Sequence, residues 1–151
     1  PRSKPKVPDL GGGTGYFLLV ARHMGHDVLG LDVDADPLYR ECFKSFELPR
    51  VVHAVRPMTR LPELPHRVDL VTAFMTSFNE HEDGRPWGVE PWEFLLDDLG
   101  ERLSPGGRFV IKFNRNPKTG EFYPREVKRL LRSHRRYRAR FSMDYLFLSA
   151  R

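Results

Sequence analysis

Short apolar runs alternate along the chain with segments of helical period, the pattern of a parallel α/β sheet rather than of a sandwich or a bundle. KVPDL (6–10) predicts a first strand, weakened by Pro8, which removes a backbone donor. Residues 15–25 turn helical, with Phe17, Leu18 and Ala21 on one face and Gly25 as a C-terminal stop. DVLGLDV (27–33) predicts a second strand, and Asp36 with Pro37 forms an N-cap and first-turn pair for a helix to Phe46. That helix is expected to turn Leu38, Cys42 and Phe46 inward. RVVHAV (50–55) predicts the third strand, and the proline-rich segment after it reads as loop. VDLVTAFM (68–75) is a near-continuous apolar run of the kind buried on both faces.

Trp92, Leu95, Leu96, Leu99 and Leu103 mark one face of a helix over 90–103, after which SPGG (104–107) stops the helix and RFVIKFN (108–114) predicts a strand. Pro124 opens a last helix with Val127, Leu130 and Leu131 inward and a row of Arg and Lys outward. YRARF (137–141) and YLFLSA (145–150) are then separated by three residues only. A parallel pair needs a crossover of a dozen residues or more, so this connection is an antiparallel hairpin. A parallel sheet ending in such a hairpin departs from the dinucleotide-binding arrangement, which argues against a nicotinamide-dependent reductase.

Composition narrows the class. The 151 residues, 40% hydrophobic and 30% charged, suffice for one well-filled core, so a single domain over 1–151 is expected. No run reaches the roughly 18 to 20 apolar residues that cross a bilayer, and no signal-peptide centre follows the N-terminus; a soluble, cytoplasmic protein with no membrane partner is expected. Cys42 is the only cysteine, which excludes an intramolecular disulfide and a CxxC metal pair, and no metal site is expected. The chain opens on Pro1 rather than Met, and a truncated N-terminal segment is expected. The net charge of +5 hides an asymmetry: residues 1–100 hold 11 Lys/Arg against 16 Asp/Glu, and residues 101–151 hold 14 against 4. The basic end reads first as a solvated face, with nucleic acid as a further possible partner through the 125–140 segment. Tyr137 is the only aromatic in that segment, so no base-stacking platform is evident there.

The candidate chemistry begins at PDLGGGTG (8–15). A glycine-rich turn between the first strand and the first helix lets a ligand approach the backbone and offers free N–H groups at a helix N-terminus. Asp32 ends the second strand, where an acid accepts the two hydroxyl hydrogens of a ribose. Together they imply a nucleoside cofactor.

At these residues the chain resembles the class I S-adenosylmethionine-dependent methyltransferases. Asp9-Leu10-Gly11-Gly12-Gly13-Thr14-Gly15 is similar to that family's D-x-G-x-G-x-G motif, and VLGLDVDADPL to its second-strand motif. VDLVTAFM, LSPGGRFVI and the terminal hairpin also resemble the family in the same order, so the resemblance runs from residue 6 to 150. It implies a three-layer α/β/α Rossmann-like fold with a mostly parallel seven-stranded sheet, an S-adenosylmethionine cofactor and methyl transfer to an N, O or C nucleophile. Gly11, Gly12, Gly13 and Gly15 would border the methionine part, Asp9 would hold that loop, and Asp32 would take the ribose hydroxyls. Val33 would lie beside the adenine, and Phe74, ending the fourth strand, would present backbone near the cofactor's amino acid or sulfonium. The acid that the family often places after the third strand is missing from RPMTRLP, which leaves adenine against the Met58 backbone.

The acceptor is less legible. TSFNEHEDGRPW (76–87) follows the fourth strand and holds His81, a candidate general base, and Asn79, a candidate orienting group; an ordinary polar loop fits the same residues. Trp87 and Trp92 either wall an apolar pocket or join the core, and Cys42 is expected in the core. A small-molecule acceptor is expected, with RNA or protein as the alternative, and a non-catalytic cofactor-binding module as the reading from another class.

Overall fold

A computed structural model describes residues 4–64, 67–77, 80, 84–117 and 119–151. β1 (Lys6–Leu10), α1 (Tyr16–His23), β2 (Asp27–Asp32), α2 (Pro37–Ser45) and β3 (Arg50–Val52) form the first half. β4 (Val68–Phe74), α3 (Val89–Arg102), β5 (Leu103–Lys112), α4 (Arg125–Ser133), β6 (Tyr137–Ser142) and β7 (Tyr145–Ala150) form the second. The seven strands lie in the order β3-β2-β1-β4-β5-β7-β6. The pairs β1/β2, β1/β4, β2/β3 and β4/β5 are parallel, and β7 runs antiparallel to both β5 and β6. Only Met143 and Asp144 separate the last two strands, so the hairpin read from spacing is present.

Strand alternation sorts side chains to two faces. On one, Leu10, Val71, Phe109, Ile111, Leu146 and Leu148 meet the inward stripes of α3 and α4, Trp92, Leu96, Leu99, Val127 and Leu131 among them. On the other, Leu18 of α1 and Phe43 of α2 pack with Leu48 and Val28. Trp87 and Trp92 are both core residues, their rings edge to face at 6.0 Å. Tyr137 is also fully buried and donates its hydroxyl to the Leu96 carbonyl at 2.8 Å. Among the described residues no helix is long and apolar enough to cross a membrane.

Three local expectations change. In α2 the Asp36 carboxylate caps the helix by accepting from Leu38 N at 2.8 Å, as expected, yet the inward residue is Phe43. Leu38 is 59% exposed and Cys42 only half-buried. The reason is tertiary: Gly30 on β2 leaves a hollow that the Phe43 ring fills, so the helix rotates to deliver that ring. SPGG does end α3, but it is a four-residue excursion within β5: Val68 pairs with Leu103 and Leu70 with Arg108. β3 stops at Val52, and the segment beyond it is held instead by α3. The Asp98 carboxylate accepts from Leu61 N at 2.9 Å, and Arg102 donates to the Leu61 and Pro62 carbonyls at 2.7 and 2.8 Å.

A Cβ at Gly30 would collide with the Phe43 ring, so Gly30→Ala is expected to lower stability by about 1–3 kcal/mol, the usual cost of overpacking. Urea unfolding of the two proteins measures it.

Candidate active site

Strand order reverses between β1 and β4, and in open parallel sheets ligands bind beyond the carboxyl ends of the strands at that point. The glycine run sits there. Gly11 donates to the Leu31 carbonyl at 2.7 Å, Gly15 to the Gly12 carbonyl at 2.8 Å, and Gly13 to Asp32 Oδ2 at 2.5 Å. Gly11 has φ 73°, and a Cβ on it would stand 2.5 Å from Thr76 Oγ1, so the loop is pressed between β2 and the segment after β4. Gly13 has φ 54°, but none of the described residues comes within 4 Å of its missing Cβ, so they leave the space beside it open. Gly15 is the N-cap of α1 and supplies no side-chain cap, which leaves first-turn N–H groups available.

Two carboxylates lie under this loop. Asp9, only 3% exposed, accepts from Thr72 Oγ1 at 2.6 Å, and its other oxygen lies 3.8 Å from where a Cβ on Gly12 would be. Burial pushes its pKa up to about 6, the Thr72 hydroxyl pulls it down less, and the charge of Asp32 adds to the rise. Asp32 is 8% exposed, with Oδ2 engaged by Gly13. Two acids around one glycine loop make a field that favours a cation.

A cleft of about 260 Å³ opens between Gly11, Asp32, Val33, His53, Val55 and Ser77. Val33, 43% exposed, holds its place because Arg50 donates to its carbonyl at 2.8 Å and also pairs with Asp34 at 3.0 Å. His53 donates its backbone N–H to the Asp32 carbonyl at 2.9 Å. Burial, aided by the Arg102 charge, holds the pKa of the imidazole below its usual value, and its buried Nε2 has no partner among the described residues. The wall therefore carries one polar atom that the protein leaves unsatisfied.

Ser77 also lines a second cleft of about 230 Å³ with Glu80, Asn114, Glu121 and Tyr123. Asn114 orders this junction by donating to the Met75 carbonyl at 2.8 Å and to Ser77 Oγ at 3.3 Å. Met75 sits at φ 56°, a conformation uncommon for a side chain of this kind, where β4 ends. A larger cavity, about 530 Å³, lies at the opposite end of the sheet among Lys6, Arg22, His26 and Glu47. It is far from the strand ends that build the glycine loop, so size does not identify the site.

The sequence-predicted residues thus fall into groups. Asp9, Gly11, Gly12, Gly13, Gly15 and Asp32 converge, and Val33 lines the cleft. Met58, at φ 56° and 48% exposed, is not among the residues lining it; that wall is made by His53, Ala54 and Val55. Phe74 packs its ring edge to face on Phe17 at 4.9 Å, and Thr76 and Ser77, just beyond it, line the cleft. Asn79 and His81 lie outside the described residues. Sequence reasoning missed His53 and Ser77, since neither belongs to a motif and both enter through the positions at which β3 and β4 stop.

No protein-family model matches the sequence, and no curated protein matches it. Solved structures do match. A TehB-like S-adenosylmethionine-dependent methyltransferase from Corynebacterium glutamicum is 22% identical with TM-score 0.65, over 100% of this chain and 82% of that one. The 1,6-didemethyltoxoflavin-N1-methyltransferase of Burkholderia thailandensis, solved with 1,6-didemethyltoxoflavin and S-adenosylhomocysteine, is 21% identical with TM-score 0.64, over 98% and 71%. An O-methyltransferase family protein from Burkholderia thailandensis is 14% identical with TM-score 0.59; the chain is covered to 99% and spans about half, 51%, of that protein. The chain has the Rossmann-like fold of the class I methyltransferases.

The elevated Asp9 pKa makes stability pH-dependent. The folded state favours the neutral acid, so this contribution is complete below pH 3.8 and is lost as the pH rises through about 6. Asp9→Asn keeps an acceptor for Thr72 without the charge. The variant is expected to gain about 2 kcal/mol on the wild type between pH 4 and pH 7, read from urea unfolding at both.

Proposed function

We propose that the protein is an S-adenosylmethionine-dependent methyltransferase that passes a methyl group to an N, O or C nucleophile of a small molecule. The observation that carries this reading is the pair of carboxylates, Asp9 and Asp32, flanking an N–H-rich loop at the β1/β4 switch point. A pyrophosphate would meet two negative charges there. A ligand with a cationic centre, an ammonium, a carboxylate and a ribose finds complementary groups: acids for the first two, loop N–H groups for the third, and the free Asp32 oxygen for the ribose hydroxyls.

The residues fit this cofactor. The open space at Gly13 and the first-turn N–H groups of α1 would take its amino-acid end, with Asp9 as the buried counter-charge. Val33 and the His53–Val55 segment would wall its adenine. The bound sulfonium supplies the electrophilic methyl group. This chain's task is alignment, because in-line methyl transfer to a good nucleophile depends mainly on holding the two reactants together. Ser77, fixed by Asn114 and common to both clefts, stands where they meet. The 230 Å³ second cleft suits a small acceptor, or a single group presented by a larger one. Asn79 and His81 are assigned the acceptor-facing roles of orienting group and proton acceptor. A second reading, with an RNA acceptor, is favoured by one observation, the excess of 14 Lys/Arg over 4 Asp/Glu in residues 101–151.

Calorimetry with S-adenosylhomocysteine, S-adenosylmethionine and NAD tests the cofactor. Asp32→Ala is expected to weaken the first two by at least about tenfold, since hydrogen bonds to a charged acceptor are lost. Tight NAD binding with no response to the other two ligands would sink the proposal.

A further inference from the structure

We infer, on the proposed reading of the second cleft as the acceptor site, that the acceptor is an amine taken up there in its ammonium form. Ser77, Glu80, Asn114, Glu121, Phe122 and Tyr123 line that cleft. Two pieces of chain build it: the segment beyond β4 brings Ser77 and Glu80, and the segment beyond β5 brings Asn114 and Glu121. A bridge between Glu80 and Pro86 fixes the backbone of the first. Asn116 fixes the second, since its backbone N–H donates to the Glu121 carbonyl at 2.8 Å and its Oδ1 accepts from Thr119 N at 3.2 Å. Backbone pairing therefore sets where Glu80 and Glu121 stand.

The lining is rich in groups that accept. Asn114 Nδ2 donates to the Met75 carbonyl at 2.8 Å and to Ser77 Oγ at 3.3 Å, which uses both hydrogens and leaves Asn114 only its carbonyl oxygen to offer. Neither Glu80 nor Glu121 has an ion-pair partner among the described residues. No Lys, Arg or His is among the described residues that line the cleft. Arg115, between Asn114 and Asn116, is held over the Phe122 ring at 5.3 Å and is not part of the lining. Tyr123 packs edge to face on Phe113 at 4.8 Å, so the cleft also has one firmly seated aromatic wall.

Charge separates the acceptor classes. A carboxylate or a phosphate would meet Glu80 and Glu121 with no described cation in the lining to offset them. A neutral hydroxyl gains little from a carboxylate that water does not already give it. An ammonium donates to the two carboxylates and to the Asn114 carbonyl, and hydrogen bonds between charged partners are roughly twice as strong as neutral ones. The transfer balances. The bound ammonium releases one proton to water, and the amine lone pair forms the bond to the methyl carbon as the carbon–sulfur bond breaks and its electron pair stays on sulfur. The product is the methylated ammonium, which carries away the charge the sulfonium brought. The lining side chains decide this preference, so an amine is selected whether or not further chain closes over the cleft.

Benzylamine, benzyl alcohol and benzoate share a shape and differ in charge at pH 7, and their binding is read from NMR titrations of the protein with and without S-adenosylhomocysteine. Benzylamine is expected to bind at least about fivefold more tightly than benzyl alcohol, with benzoate the weakest. Glu80→Gln with Glu121→Gln keeps the side-chain shapes, and should weaken benzylamine about tenfold while benzyl alcohol changes by less than about twofold. The charge-matched pair Glu41→Gln with Glu63→Gln, outside the cleft, should change benzylamine by less than about twofold. The proposal is overturned by no benzylamine binding at about 50 mM, by benzyl alcohol or benzoate binding as tightly as the amine, by equal losses for the two pairs of variants, or by resonance shifts that spare Ser77 and Asn114. Oligouridine displacing benzylamine more strongly than benzyl alcohol does would favour an RNA acceptor and overturn it as well. S-adenosylhomocysteine binding, measured on the same proteins, should be unchanged; its absence would count against the proposed reaction, while the three probes alone still decide what the cleft selects.

Discussion

The hydrogen bond from Thr72 to the buried Asp9 carboxylate is the contact on which the ligand-bearing edge depends. β1 is a central strand, yet Pro8 has no N–H to give, and pairing with β4 is reduced to one residue pair, Asp9 with Thr72. The 2.6 Å side-chain bond lies across that same pair. Burying a carboxylate with one such partner does not recover its hydration, which is why its pKa stands near 6. The sheet thus holds a destabilised acid where the strands must part to admit a ligand. Replacing it with an apolar residue would remove the penalty and also the counter-charge, so a gain in stability and a loss of binding are expected to come from the same atom.

What could be read along the chain and what could not divide by whether the cause is local. The helix caps at Asp36 and Gly25, the inward stripe of α3 and the short β6–β7 turn are set by neighbours within a few residues, and all were legible. Phe43 was not, because its place is set by the missing side chain at Gly30 on another element. The SPGG segment reads as a strand boundary, but continued pairing with β4 on both sides of it makes it an excursion within β5. The glycine loop and Asp32 were legible because their spacing is itself the signal. His53 and Ser77 carry no spacing signal, and the cleft wall nearest Met58 in sequence is made by residues three to five positions earlier.

Charge asymmetry follows the same division. The sequence shows that residues 101–151 are strongly basic, which invites the view that α4 is the cationic face. Several of those charges are already committed. Asp97 takes Arg136 at 2.9 Å and lies within 4.0 Å of Arg135 and His134, while Asp98 takes Arg102 at 3.0 Å. On α4 itself Lys128 and Arg132 lie over the Phe141 ring. The cations of β6 with no acidic partner among the described residues are Arg138 and Arg140, on the other side of the sheet from α4.

The protein therefore separates its charges by strand end and by face. Acids gather at the carboxyl ends of β1 and β2, where a cationic ligand would be neutralised, and Arg108, Lys112, Arg138 and Arg140 stand on the face of β5, β7 and β6 turned away from α3 and α4. The second arrangement arises from the antiparallel hairpin. Because β7 inserts between β5 and β6, its side chains alternate between a core already filled by α3 and α4 and a face that neither α1 nor α2 reaches. A strand in that position exposes two rings only if something recognises them or if flanking charges keep them from aggregating. Arg140 and Lys112, each held over a ring, do the second.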